Sequence, residues 1–319
     1  MKYLDQKSIQ KLGANWEQLT KTAEDAVVCL SEGQTVQPIK PYLRFKNLTN
    51  RIISMPAYLG NNFDIAGIKW IASFPDNIHK GIPRANSVTI LNSADTGEPI
   101  SIINTSLVSV IRTVAVSRLL LKRYNNHKKL VNPKIGITGF GPIGQYHLQM
   151  VQDFFKDTNA EIFIYDLKPI HPELLKDASN VTVTDSWEKA FEGADVFITC
   201  TVSDKRYINA VPKENSLHLN VSLRDYSPEM LKYFKKGIVV DKWEEICREN
   251  TDIEAMHKEC GLQKEDTYSI IDVVVNDCLE KLVNKTSVMF NPMGMSIFDM
   301  AVAKVFYTNS VAQKVGVDL

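Results

Sequence analysis

The spacing of apolar residues changes character near residue 133, and the change divides the chain in two. Residues 8–31 carry the three-to-four-residue apolar spacing of a helix, and apolar runs follow at residues 51–56, 65–73 and 87–92 between breaks rich in Gly, Asn and Pro. That arrangement predicts an antiparallel or mixed sheet. Residues 105–122 then read as a helix with hydroxyl N-cap candidates at Thr105 and Ser106 and basic residues in its last turns, where the macrodipole favours them. This helix is expected to bridge two domains. Beyond Pro133, β-rich runs at residues 134–138, 161–165, 180–184, 195–200, 216–221 and 237–241 alternate with helical windows, which predicts a parallel sheet with crossover helices. A last strand at 287–290 precedes a helix to about Asn309, expected to fold back on the N-terminal half.

One turn in the second half carries specific chemistry. Gly139-Phe140-Gly141-Pro142-Ile143-Gly144 sets G-x-G-x-x-G directly after an apolar strand and at the start of a helix. Gly139 permits a tight turn, Gly141 lets backbone approach a pyrophosphate, and Gly144 lets helix and strand pack closely, while the helix N-terminus offers free N–H groups. Pro142 suits a first helical turn, where no donor is needed, and Ile143 completes the turn. Asp166 follows the next strand, where a carboxylate accepts from a ribose 2′-hydroxyl and repels a 2′-phosphate, so NAD is expected over NADP; Lys168 keeps NADP open. Thr201, Ser222 and Met293 lie beyond later strands and are further cofactor candidates. The expected fold class is α/β: a Rossmann-type doubly wound parallel sheet over residues 119–294, plus an α+β domain of residues 1–118 completed by 295–319.

Composition narrows the partners. The 319 residues balance 37 Lys+Arg against 37 Asp+Glu with no long basic run, leaving no electrostatic footprint for nucleic acid. No segment approaches about 18 uncharged apolar residues and no apolar stretch follows a basic start, so a cytoplasmic protein with no membrane partner is expected. Five scattered cysteines and six histidines show no metal-ligand spacing, so no metal is expected, and the charged stretch 242–265 reads as solvated helix.

Three cations interrupt apolar runs: Arg44 after Tyr42-Leu43, Lys69 within Gly67-Ile68-Lys69-Trp70-Ile71, and Arg112 within Val110-Ile111-Arg112-Thr113-Val114. A cation stripped of water needs an anion, which is either an internal acid or a carboxylate-rich substrate. Spacing alone does not choose between them. Arg84, in a loop, could join such a cluster or be a solvated charge.

Arg44, Gly67-Ile68-Lys69-Trp70, Arg112-Thr113-Val114-Ala115, the Gly139 to Gly144 turn, Asp225 and Gly294-Met295-Ser296-Ile297-Phe298-Asp299 together resemble the ornithine cyclodeaminase/mu-crystallin family over nearly the whole chain. The resemblance implies a substrate and dimerisation domain facing a Rossmann domain, a homodimer, Arg44, Lys69 and Arg112 as substrate carboxylate ligands, and Asp225 as catalytic carboxylate; Arg84 is a further candidate for the same cluster on charge alone. Around Asp225 the chain lacks the glycine-rich context of ornithine cyclodeaminases. Val36 to Arg44, Ile53 to Pro56, Pro83 to Ser87 and Phe290 to Met295 are instead similar to the branch that makes 2,3-diaminopropionate for siderophores and antibiotics. That likeness implies NAD-dependent oxidation of N-(2-amino-2-carboxyethyl)-L-glutamate, a small, carboxylate-rich amino acid, with a pyridoxal-phosphate synthase as pathway partner. Asp225 would act as base, with Lys69 sharing proton transfers if burial lowers its pKa; its bland alternative is a cap on the turn before Ser227-Pro228. Ornithine cyclodeaminase, ketimine or alanine dehydrogenase activity, and a non-catalytic nucleotide-binding crystallin role are the alternatives.

Overall fold

A computed structural model describes residues 1–175 and 180–319. The chain divides into two compact units: Met1–Val116 with Met295–Leu319, and Ser117–Gly294. The division falls inside the helix Leu107–Lys128.

The first unit is built on a mixed sheet. Its central strands Arg51–Leu59, Ile65–Ser73 and Ala85–Ser93 are antiparallel and in continuous register, which sets Met55 and Thr89 on either side of Lys69. Pro99–Asn104 extends the sheet antiparallel, and Lys2–Asp5 pairs with it in parallel. The helices Trp16–Ser31 and Ser296–Ala312 pack against each other, and the latter lies on the sheet. Trp16–Ser31 buries Trp16, Leu19, Ala23, Ala26 and Val27 at helical spacing, and the Asn15 side chain caps it by accepting from the Gln18 N–H. The expected single helix over 8–31 is broken by Gly13 at φ 70°, which ends Gln6–Leu12 before Asn15 starts the next helix.

Ser296–Ala312 is apolar on nearly every side, with Ile297, Phe298, Met300, Ala301, Val302, Ala303 and Phe306 all buried. Its first turn is held by Gln37, whose side-chain oxygen accepts from the Ile297 N–H at 3.1 Å and the Ser296 hydroxyl at 3.0 Å. The helix approaches the sheet closely because Gly67 lacks a side chain: a Cβ there would lie 2.7 Å from the Met300 sulfur and 2.3 Å from the Ile90 oxygen. Lys69, two residues along the strand, shares that face.

The second unit is an eight-stranded parallel sheet. Its order is Val181–Val183, Glu161–Tyr165, Lys134–Thr138, Val196–Thr199, Leu217–Asn220, Val288–Asn291, Ile238–Val240, Tyr268–Ser269. The chain runs outward from Lys134–Thr138 through the next two strands and then returns to place Val196–Thr199 on its other side, a doubly wound pattern. The carboxyl ends of Lys134–Thr138 and Val196–Thr199 therefore border the switch point where ligands of such sheets collect. An aromatic cluster of Phe191, Phe197, His218, Tyr226 and Phe234 fills the core on one side. Among the described residues, no helix is long and apolar enough to cross a membrane, and no group of three or more His, Cys, Asp or Glu is placed to hold a metal.

Candidate functional site

The glycine turn follows the strand Lys134–Thr138 at the switch point. Gly139 has φ 86°, and a Cβ there would meet the Cys200 carbonyl carbon at 2.5 Å and the Thr201 nitrogen at 2.7 Å. A Cβ on Gly144 would lie 2.1 Å from the Gly139 oxygen, so helix and strand pack through it. Gly141 differs, because nothing lies within 4 Å of the position of its Cβ. It is the N-cap of the helix Pro142–Phe154, with no side chain capping that helix and Pro142 and Gly141 exposed. An open approach beside uncapped N–H groups fits a pyrophosphate. Asp166 braces the turn: one carboxylate oxygen accepts from the Phe140 N–H at 2.5 Å and the other from the Lys168 N–H at 2.8 Å.

Asp225 lies beyond the strand Leu217–Asn220 and is fully buried. Its two carboxylate oxygens accept from the hydroxyls of Thr201 and Ser222, the two strand-end residues read as cofactor candidates, with the Tyr207 hydroxyl a further neighbour, while Thr199 donates to the Asn220 side chain at 3.0 Å. Burial pushes its pKa above the usual carboxylate value, and the hydroxyl donors oppose that rise without cancelling it. Asp225 does not cap the following turn, since the Ser227 N–H donates to the Ile208 oxygen at 3.0 Å. The turn that carries it is strained: Leu223 has φ 67° where a glycine would be at ease, and its buried side chain and a bond from its N–H to the Asn220 side chain hold it there.

Asp252 anchors this turn. One oxygen accepts from the backbone N–H groups of Asp225 at 3.0 Å and Tyr226 at 3.2 Å and from the Asn220 amide at 3.0 Å, and the other accepts from Arg206 Nε at 3.0 Å. Burial raises its pKa to about 6. The charged stretch 242–265 is thus not simply solvated: Asp252 and Glu245 are buried within it. Met293 is half-buried against the second unit's core, and Gly294, at φ 88°, donates its N–H to Asp241 at 2.7 Å.

In the first unit Lys69 and Arg112 are brought together by an acid that periodicity did not single out. Asp299, on the last helix, takes the Lys69 ammonium at 2.9 Å and Arg112 Nε at 2.8 Å, both on the same oxygen. Lys69 is 2% exposed, Asp299 1% and Arg112 8%. Two cations around one anion leave the cluster with a net positive charge. Burial drives the Lys69 pKa down and Arg112 adds to the effect; Asp299 opposes both, and the result is about 8. Burial alone would raise Asp299, but Arg112 and Lys69 outweigh it and hold the carboxyl below its usual range. Removing one member of such a buried group typically costs about 3–5 kcal/mol.

Arg44 is not in an apolar setting. It is exposed, with its guanidinium donating to the Leu48 oxygen at 2.8 Å and standing 5.6 Å from the Tyr42 ring centre. Arg84 is half-buried just before the strand Ala85–Ser93. His147 and His218 are core residues, bonded to Ser117 and Tyr226 respectively and kept neutral by burial, with pKa values brought down to about 4 and about 3.

This fold and these residues define the class. The chain belongs to the ornithine cyclodeaminase/mu-crystallin family, which it matches over residues 3–314. Among its relatives, it is 32% identical to N-((2S)-2-amino-2-carboxyethyl)-L-glutamate dehydrogenase of Staphylococcus aureus, across 100% of this chain and 98% of that one. It is 27% identical to alanine dehydrogenase of Archaeoglobus fulgidus, across 98% and 96%. The fold also matches the solved structure of Thermococcus litoralis Delta(1)-pyrroline-2-carboxylate reductase in complex with NADH and L-proline, with a TM-score of 0.86 at 22% identity and 100% of both chains covered.

Proposed function

We propose that the chain is an NAD-dependent dehydrogenase that oxidises the CH–NH bond of N-(2-amino-2-carboxyethyl)-L-glutamate and releases 2-oxoglutarate and L-2,3-diaminopropionate. The observation that carries this reading is the full-length likeness to the Staphylococcus aureus dehydrogenase. The site chemistry agrees with it. The Lys69–Asp299–Arg112 group keeps one positive charge in excess, suited to a substrate carboxylate. The open face of Gly141, the uncapped helix N-terminus, Ile143, Thr201, Ser222 and Met293 would hold the dinucleotide, and Asp166 would favour NAD by repelling a 2′-phosphate.

Bound there, NAD would supply the hydride acceptor for oxidation at the glutamate α-carbon. Asp225 takes the proton from the secondary ammonium, because the nitrogen lone pair must be free to form the imine, and then positions the attacking water. Its raised pKa keeps it a competent base, and its hydroxyl donors fix its orientation. Lys69, whose pKa burial brings down to about 8, shares the proton transfers. The net change is substrate, NAD+ and water to 2-oxoglutarate, L-2,3-diaminopropionate, NADH and a proton. A pyridoxal-phosphate enzyme joining a serine derivative to glutamate would supply the substrate, for siderophore or antibiotic synthesis.

Leu43, Phe45, Leu48 and Trp70 on the first unit are exposed apolar side chains, which supports a homodimer; a protomer mass in sedimentation would exclude it. The enzymatic reading is tested by offering NAD with N-(2-amino-2-carboxyethyl)-L-glutamate, alanine and ornithine in turn, following NADH and identifying products. We expect 2-oxoglutarate and 2,3-diaminopropionate in equal amounts with NADH. Turnover of alanine alone would instead select the activity of the Archaeoglobus relative, and proline from ornithine without net NADH would select a cyclodeaminase.

A further inference from the structure

We propose that Asp299 is a positioning residue of the carboxylate site: it anchors Arg112 through Nε, so that the terminal amino groups of the guanidinium remain for the substrate, and it keeps the Lys69 ammonium charged. The inference rests on the reading of this cluster as a carboxylate site and adds to it the residue that sets its charge.

Three features of the geometry carry it. First, Asp299 meets Arg112 at Nε, on the side of the guanidinium, rather than across the two terminal nitrogens, so the fork of those terminal nitrogens is not taken up by this acid. Second, both cations share a single oxygen of Asp299, while the other, Oδ2, is buried without a hydrogen-bond donor. One acid against two cations leaves the pair under-neutralised, as an anion site requires, and its second oxygen is an acceptor not yet used. Third, the setting is rigid. Asp299 sits in the first turn of a buried helix fixed by Gln37, and Gly67 lets that helix close on the strand carrying Lys69.

The charged groups that face Lys69 are Asp299 from the last helix, Arg112 from the helix Leu107–Lys128, and Lys40 from the segment before the strand Tyr42–Leu43. The flanking strands present Met55 and Thr89 opposite it, neither of which titrates. Among these groups Asp299 is the acid that holds the ammonium charged. Without it, burial and the neighbouring cations release the Lys69 proton at lower pH.

Calorimetric titration of the full-length protein with 2-oxoglutarate, between about pH 6.5 and 9.5, tests this. Wild type is expected to bind, with affinity falling as pH rises through about 8 and Lys69 discharges. Asp299→Asn is expected to move that midpoint down by at least about one pH unit and to weaken binding about tenfold at neutral pH. A merely structural role would not move the midpoint. An unmoved midpoint in a variant that still binds overturns the inference and leaves the carboxylate site standing, whereas failure of wild type to bind at any pH removes the site and the inference together. Should Asp299→Asn not fold, Lys69→Met is compared with Lys69→Met/Asp299→Asn. The double variant is expected to bind at least about tenfold more weakly than Lys69→Met, because Arg112 has lost its anchor; equal affinity of the two overturns the proposal.

Discussion

Asp225 and Asp299 are both fully buried carboxylates, and their surroundings push them in opposite directions. Asp225 meets only neutral hydroxyl donors, so burial prevails and its pKa rises; Asp299 meets two cations, which prevail over burial and lower it. A group held above the usual range suits proton abstraction, and one held below it suits a permanent counter-charge. Asp225→Asn should therefore bind NAD within about threefold of wild type yet lose about a hundredfold or more in turnover. For wild type, kcat/KM should fall on acidification through a pKa above the ordinary carboxylate value of about 3.9, because the base must be unprotonated. Cofactor titration and a pH-rate series measure both, and near-normal turnover of Asp225→Asn would remove it from the mechanism. At this scale the sequence showed the need but not the partner. Lys69 and Arg112 in apolar runs demanded an anion, yet Asp299 lies 187 residues beyond Arg112 and nothing local joins them. The signal available was a single acid in the otherwise apolar first turns of the last helix. Asp252 was hidden in the same way, since a charged stretch gives no sign that one of its carboxylates turns inward to hold backbone N–H groups.

The glycine turn separates two roles within one element. Gly144 is required by packing, so Gly144→Ala, with its Cβ 2.1 Å from the Gly139 oxygen, should lower the melting temperature by several degrees, consistent with a cost of about 1–3 kcal/mol for overpacking. Gly141 has an ordinary φ of −68° and open space around it, so Gly141→Ala should melt as wild type does while binding NAD about tenfold more weakly. Thermal melts with and without NAD distinguish the two, and equal effects of both variants on stability would contradict the assignment. Strands with strong apolar runs were legible to the residue: Ile65–Ser73, Lys134–Thr138 and Glu161–Tyr165 fall where their patterns put them. Lys2–Asp5 was not, because it pairs with a segment about a hundred residues away, and Pro99–Asn104 was not, because it carries only a short alternation although it pairs with the neighbouring strand Ala85–Ser93. The break at Gly13 and Asn15 was written in the sequence as a stop and a start, and apolar spacing running across it concealed both.

At the scale of the whole molecule, the parallel sheet was legible because its central strands are buried and most alternate with helical segments, although none separates Val196–Thr199 from Leu217–Asn220; the position of the glycine turn at the switch point follows from the strand order. What composition and periodicity could not supply was the substrate, which depends on side chains gathered from distant segments; the family resemblance supplied that expectation. The two units carry different parts of the chemistry, a positive cluster around Asp299 in one and the dinucleotide turn with Asp225 in the other. The proposed reaction is a hydride transfer from the glutamate α-carbon. The measurement that addresses this most directly uses N-(2-amino-2-carboxyethyl)-L-glutamate deuterated at the glutamate α-carbon, with NAD and the intact protein, and determines where the label goes. The account predicts one deuterium in the NADH formed and none in the released 2-oxoglutarate or 2,3-diaminopropionate. Deuterium appearing in solvent, with unlabelled or no NADH, would contradict it.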